Sequence, residues 1–320
     1  MITNSAPTLI AFGPVPSRRL GRSLGINNIP PKSCSYSCIY CQVGPTHHRE
    51  ITPRQFYKTE EIYKTVKEKV DAALNLRERI DYLTFVPDGE PTLDIHLADM
   101  IECLKPLGFP VAVISNASLT WKEDVRKTLQ LADWVSLKVD SVDEAVWRKI
   151  NQPHENLQLP AILEGIQRFA KEYQGELATE TMLLSGINDH ASEIEKTAEF
   201  LGKLAPDISY ISIPTRPPAQ AEVKPPSEER INQAFQIISK QVKNTEYLIG
   251  YEGDAFAYTG DIEQDLLSIT SVHPMREQAV QELLHKAGAH WNVVQRLLSE
   301  GKIKKVEFAN KHFYIRCLPK

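Results

Sequence analysis

Three cysteines fall within eight residues, Cys34-x3-Cys38-x2-Cys41, after the turn Pro30-Pro31-Lys32. Thiolates on one tight loop can hold three corners of an iron–sulfur cube, and a set of three leaves one iron open for a ligand. The same open-position logic separates catalytic from structural zinc sites. A zinc site made by these cysteines with His47 or His48 has suitable ligand types, but the spacing is not the paired C-x2-C of structural zinc sites. Cys103 and Cys317 stand alone, so five cysteines make no disulfide framework.

A second constellation is Pro87-Asp88-Gly89-Glu90-Pro91-Thr92, in which a glycine lets backbone approach a ligand beside a carboxylate. Softer signals follow at Ser115-Asn116, Lys138-Val139-Asp140 and Ser185-Gly186. Hydroxyl, amide, ammonium and carboxylate groups there suit ligand recognition, and turn or cap roles account for them almost as well. Glu180 and Arg216 either line an interior near substrate or form a buried ion pair.

The elements that must position these groups alternate. Strand-like runs at 23–27, 81–86, 110–115, 134–140, 176–184 and 208–213, with a further one at 246–251, are separated by helical patterns at 59–75, 93–104, 120–131, 156–173, 191–204 and 227–242. Such βα repetition predicts an α/β fold with a parallel sheet, an open or partial barrel of six or seven units. Ligands of such sheets gather at the C-terminal strand ends, where the constellations lie.

The last ~50 residues differ in texture. Helical runs at 276–287 and 291–300 precede a hairpin at 304–308 and 312–316, an order that resembles a winged helix. The expected domains are therefore residues 1–270 for the barrel and 271–320 for a small basic α+β unit. Residues 271–320 hold nine Lys and Arg against four Glu in a chain of net charge −4. The excess is either a solvated surface or the footprint of an anionic partner. A chain ending near Thr270 is expected to keep its iron and lose substrate binding.

No stretch approaches the ~20 apolar residues of a membrane span, and the charges of the N-terminal segment follow its apolar residues. A cytoplasmic protein without membrane contact is the default expectation.

The C-x3-C-x2-C motif with Tyr40 before the last cysteine resembles the radical S-adenosylmethionine superfamily. Asp88-Gly89-Glu90-Pro91 resembles that family's Gly-Gly-Glu-Pro motif, with Asp88 in place of the first glycine. The resemblance implies a partial parallel (βα)6-type barrel, with one [4Fe-4S] cluster on Cys34, Cys38 and Cys41. It also implies S-adenosyl-L-methionine chelated at the open iron and cleaved to a 5′-deoxyadenosyl radical. Tyr40 would pack beside the adenine, and Gly89, Glu90 and Pro91 would face the methionyl ammonium. Ser115, Asn116, Lys138 and Asp140 would meet ribose hydroxyls or the methionyl carboxylate, and Ser185 and Gly186 would flank the adenine.

The segments 12–27 and 41–46 further resemble the iron–sulfur oxidoreductase group related to wyosine tRNA synthases. No second cysteine set accompanies that likeness, so the exact tRNA reaction does not transfer. The leading expectation is an enzyme that modifies a macromolecular substrate, RNA or protein. Its reductant comes from an external flavodoxin- or ferredoxin-type donor, since no flavodoxin segment is present. A DNA-binding iron–sulfur redox sensor is the alternative from another class, and it has no use for a methionine-binding loop.

Overall fold

The computed structural model describes residues 10–250, 253–254 and 256–317. Strands β1 (Ala11–Ser17) and β2 (Gly21–Ile26) form an antiparallel hairpin. Gly25 is required there, because a Cβ would sit 2.0 Å from the Phe12 ring lying across β2.

From β2 onward the neighbours are parallel. They run through β3 (Tyr82–Phe85), β4 (Val111–Ser115), β5 (Trp134–Lys138), β6 (Glu176–Met182), β7 (Ile208–Ser212) and β8 (Thr245–Leu248), in strict sequence order. The result is a curled half-barrel whose edge strands are β1 and β8. Helices α1 (Thr59–Asn75), α2 (Leu97–Leu104), α3 (Glu123–Leu129), α4 (Glu144–Asn151), α5 (Leu159–Glu172), α6 (Ala191–Leu204) and α7 (Glu228–Ile238) alternate with the strands.

Side-chain alternation along the strands decides what faces the hollow. Val111, Val113, Val135, Leu137, Leu177 and Ile211 join the core shared with the helices. The intervening Ala112, Trp134, Ala178 and Tyr210 fill the inner floor. One pleat further along, the same inward face carries Lys138, Glu180, Met182 and Ser212. The helices dock by the matching rule: α1 buries Ile62, Val66, Val70 and Ala73 along one stripe, and Glu60 and Glu61 sit at its positive end.

The chain continues through α8 (Ile262–Val272), β9 (Met275–Arg276), α9 (Glu277–Lys286), α10 (Asn292–Ser299), β10 (Ile303–Phe308) and β11 (Lys311–Arg316). The last two strands meet at Ala309 and Asn310, both at left-handed φ, as a two-residue hairpin turn requires. The apolar side chains of this segment form a cluster that β1 also enters. Phe12 and Val15 of β1 pack with Phe256, Leu266, Leu283 and Tyr314 in one cluster.

Three differences from the sequence reading have physical reasons. β1 was not anticipated because Pro14 and Pro16 interrupt its pattern, and prolines are tolerated on an edge strand. The helix expected from residue 93 starts at Leu97, after a 3-10 turn over Pro91–Leu93. The eight-residue α4 is set by its Asp143 N-cap, which accepts from Ala145 N and Val146 N, rather than by a long stripe. The expected strand at 246–251 is β8, and its last residue lies outside the described residues. Among the described residues no helix is long and apolar enough to cross a membrane.

Candidate functional site

The cysteine loop leaves β2 and is pinned on both flanks. Lys32 N donates to Asp88 O (2.8 Å) and Glu90 N donates to Ser33 O (2.9 Å), joining it to the segment after β3. A Cβ on Gly89 would lie 2.0 Å from Ser33 O, so only glycine permits this approach. On the other flank Ser37 N donates to Asn151 O (3.0 Å) and Ile39 N to Ile150 O (2.9 Å), both at the end of α4. Cys41 N closes a tight turn onto Cys38 O at 3.0 Å.

Thus held, Cys34, Cys38 and Cys41 line one cavity of about 300 Å³ with Tyr40, Gly89, Ser115, Asn116, Lys138, Glu180 and Arg216. That volume suits a small molecule or one extended group rather than an open groove.

Each sulfur has a nitrogen donor beside it. Asn116 Nδ2 is 3.5 Å from Cys34 Sγ, Asn151 Nδ2 is 3.4 Å from Cys38 Sγ, and Lys32 Nζ is 3.8 Å from Cys41 Sγ. Burial pushes the Cys34 thiol up to about 12 and pushes the Cys38 thiol up as well. A thiol in that condition stays protonated until a metal takes the proton's place, and the amide and ammonium donors then suit the thiolate that remains. This donor set fits an iron–sulfur cluster.

Zinc fits less well. One zinc gathers its sulfur ligands within about 4 Å of one another, whereas the corners of a cube stand wider. Among the described residues no three His, Cys, Asp or Glu side chains are arranged for a single ion. His47 and His48 are exposed and do not line the cavity.

The carboxylates divide the work. Glu180 faces the cavity and pairs with Arg19 and with Lys138 Nζ (3.1 Å). Burial alone would raise its pKa, but Lys138 and Arg19 hold it well below the usual carboxylate range. Lys138 is opposed by burial in the same way, yet Asp140 and Glu180 hold it above the ordinary lysine value. The two groups therefore stay charged near neutrality. Asp140 lies behind the wall, where its Oδ2 accepts from Tyr40 OH (2.5 Å) and Asn151 Nδ2 (2.7 Å) and its Oδ1 from Met182 N (2.9 Å). It fixes the Tyr40 ring, over which Lys138 Nζ sits at 5.0 Å.

Glu90 and Pro91 do not reach the cavity. The Glu90 carboxylate is fully buried and accepts from Thr92 Oγ1 (2.6 Å), Thr92 N (3.1 Å), Ser115 Oγ (2.8 Å) and Asn116 N (2.7 Å). Burial raises its pKa and these four donors oppose the rise. Its place is to hold the Ser115–Asn116 wall, and Pro91 O receives Asn28 Nδ2 (3.0 Å) from the cysteine-loop side. Ser185 and Gly186 are exposed, and Ser185 lines a separate groove outside the barrel.

Glu90→Gln is therefore expected to lower stability by about 1–3 kcal/mol, because an amide NH2 meets donors that need an acceptor. A calorimetric melt of the apo-protein checks this. An unchanged melting temperature with weakened S-adenosylmethionine binding would return the carboxylate to the ligand.

Sequence reasoning missed Arg18, Arg19, Gln42, Met182 and Ser212, which also line the cavity. The last two follow from the alternation of β6 and β7. The arginines sit in the β1–β2 turn, and their signal was hidden with β1.

An open sheet that presents three thiols and a charged wall to one hollow suits a cofactor with a vacant metal position. The profile of the Radical SAM superfamily matches residues 28–201, and the chain belongs to that superfamily. It is 50% identical over 309 residues to a UPF0026 protein of Methanocaldococcus jannaschii, covering 96% of either chain. It is 21% identical over 228 residues to a probable dual-specificity RNA methyltransferase of Synechocystis, covering 69% of this chain and 62% of that one. A solved radical SAM methyltransferase from Sphaerobacter thermophilus shares the fold, with a TM-score of 0.53 and 17% identity over 71% of this chain and 66% of its own. The protein is thus a radical SAM enzyme, whose family cofactors are a [4Fe-4S] cluster and S-adenosyl-L-methionine.

Proposed function

We propose that Cys34, Cys38 and Cys41 hold one [4Fe-4S] cluster, and that the chain directs a 5′-deoxyadenosyl radical at a macromolecular substrate, RNA first. When bound, the reduced cluster and S-adenosyl-L-methionine supply that radical. The observation that carries the reading is that three nitrogen-flanked thiols open onto a single cavity on the inner face of the half-barrel.

The chain's own residues bind, orient and shield. Gly89, Ser115 and Asn116 give the methionyl end of the cofactor a polar wall, and Tyr40, fixed by Asp140, gives the adenine a flat one. Met182, Ile213 and Pro214 add apolar surface that keeps water from the reacting carbon. Glu180, held between Arg19 and Lys138, is a fixed charge rather than a proton donor.

RNA is favoured by the likeness to an RNA methyltransferase and by cations on the C-terminal ribbon. Lys302 and Lys305 are paired there with Glu263 and Glu277, and Lys304 and Lys311 are exposed beside one exposed acid of the ribbon, Glu307.

The cofactor reading is tested by anaerobic reconstitution followed by reduction. Release of methionine and 5′-deoxyadenosine is expected, whereas stoichiometric zinc without iron–sulfur absorption in protein purified without air would overturn it. The substrate is tested by mass spectrometry of RNA and protein from a strain lacking the gene. Loss of one modified nucleoside is expected, and a change confined to protein would move the reading to a peptide side chain.

A further inference from the structure

We propose that the groove on the outer side of the cysteine loop docks a small acidic one-electron carrier protein. The inference rests on the reading that Cys34, Cys38 and Cys41 hold a cluster. Between Cys38 and Cys41 the loop is a partition one chain thick. Cys38, Tyr40 and Cys41 line the cavity on its inner side, whereas Ile39 lines a second hollow of about 300 Å³ on its outer side.

Bonded contacts tie the groove walls to this partition. Ile39 N donates to Ile150 O at 2.9 Å, and Gln220 N donates to Ile39 O at 3.0 Å. Asn151, next in sequence to Ile150, places Nδ2 3.4 Å from Cys38 Sγ. A carrier seated in the groove would be separated from a cluster sulfur by one residue of packed, hydrogen-bonded chain. The cavity mouth has to admit cofactor and substrate, so a carrier of protein size needs another face.

The groove has the charge for such a carrier. Its ionic lining is Arg148, Lys149 and Lys224 against Glu222, on a chain whose net charge is −4. Arg148 is paired with Glu144 at 2.7 Å, and Lys149 and Lys224 are exposed at the rim. Ile39, Leu184 and Val223 pack together beneath them as an apolar floor. A positive rim around an apolar centre is complementary to a carrier whose redox group is ringed by carboxylates, and such complementarity acts chiefly on the rate of association. In the step served, the carrier loses one electron and the cluster gains it, with no bond made or broken.

The test uses reconstituted full-length enzyme and the double variant Lys149→Glu/Lys224→Glu, with cluster reduction followed by stopped-flow absorbance. Two reductants are compared: flavodoxin hydroquinone, and photoreduced deazaflavin as a small uncharged-surface control. At low salt the variant is expected to be reduced at least ten-fold more slowly by flavodoxin and at the wild-type rate by deazaflavin. The wild-type flavodoxin rate is expected to fall with added salt, as steering through exposed charges requires. Equal flavodoxin rates in the two proteins would overturn the docking site, and so would an equal slowing with both reductants. Failure of deazaflavin to reduce wild-type enzyme would instead remove the cluster reading, and the proposal with it.

Discussion

Replacing any one of Cys34, Cys38 or Cys41 with alanine is expected to reduce S-adenosylmethionine cleavage to background, while Cys103→Ala and Cys317→Ala retain full activity. The three loop thiols share the cavity, and each has a nitrogen donor at 3.4–3.8 Å. With two thiolates, a cube has two irons without protein ligands and falls short of the coordination that keeps it in place. Cys103 lies on α2 with its Sγ directed to Met100 O at 3.2 Å, away from the cavity lining. Cys317 follows β11 and does not line the cavity either. Iron and sulfide analysis with 5′-deoxyadenosine quantification checks the outcome. Full activity in any loop variant, or its loss in Cys103→Ala, would break the assignment.

Those thiols stood out in the sequence because their spacing is local: three candidate ligands on one loop can be read without knowing the fold. The half-barrel was legible for a related reason, since period-two runs separated by period-3.6 runs leave few packing solutions. Side-chain direction beyond a turn was not. At Glu90 the sequence shows a carboxylate beside a glycine, and only the return of Ser115 and Asn116 at the end of β4 shows that its oxygens are satisfied inside the wall. Asp140 reads alike and differs for the same reason, since Tyr40 arrives from 100 residues earlier and Asn151 from the far end of α4. At Ser185 the chain has already passed the rim of β6, and its backbone N donates to Lys224 O at 3.0 Å on the outer side. Groups that answer to non-local partners are the ones a linear reading places by guesswork.

The same limit governs the C-terminal segment, where charge and texture suggest a detachable unit. A chain ending at Thr270 is expected to yield no folded, iron-binding product. The cut removes Leu283, Val294 and Tyr314 from the core they share with Phe12, Val15, Phe256, Leu266 and Ile269. Leaving those five side chains in water forfeits about 1.5–3 kcal/mol each, on the order of 10 kcal/mol together. Whole domains are stable by only about 5–15 kcal/mol, so little would remain. Two contacts to the cofactor loops also go. Ser271 donates to the buried Asp88 at 2.6 Å, whose carbonyl anchors Lys32 of the cysteine loop. His273 meets Arg216 at 3.0 Å, and Arg216 donates to Gln42, the neighbour of Cys41, at 2.7 Å. Solubility, a thermal melt and iron content after reconstitution measure the result. A monomeric truncated chain that melts cooperatively and keeps its iron would show that residues 1–270 fold alone, as the sequence suggested. Because the cut removes core and charge together, it cannot report on substrate recruitment. Lys304→Glu/Lys311→Glu can, since both side chains are exposed and neither belongs to the shared cluster. That variant is expected to keep its melting temperature and to weaken RNA binding with a shallower salt dependence. Unchanged RNA affinity would leave the ribbon as packing for β1 and α8 alone.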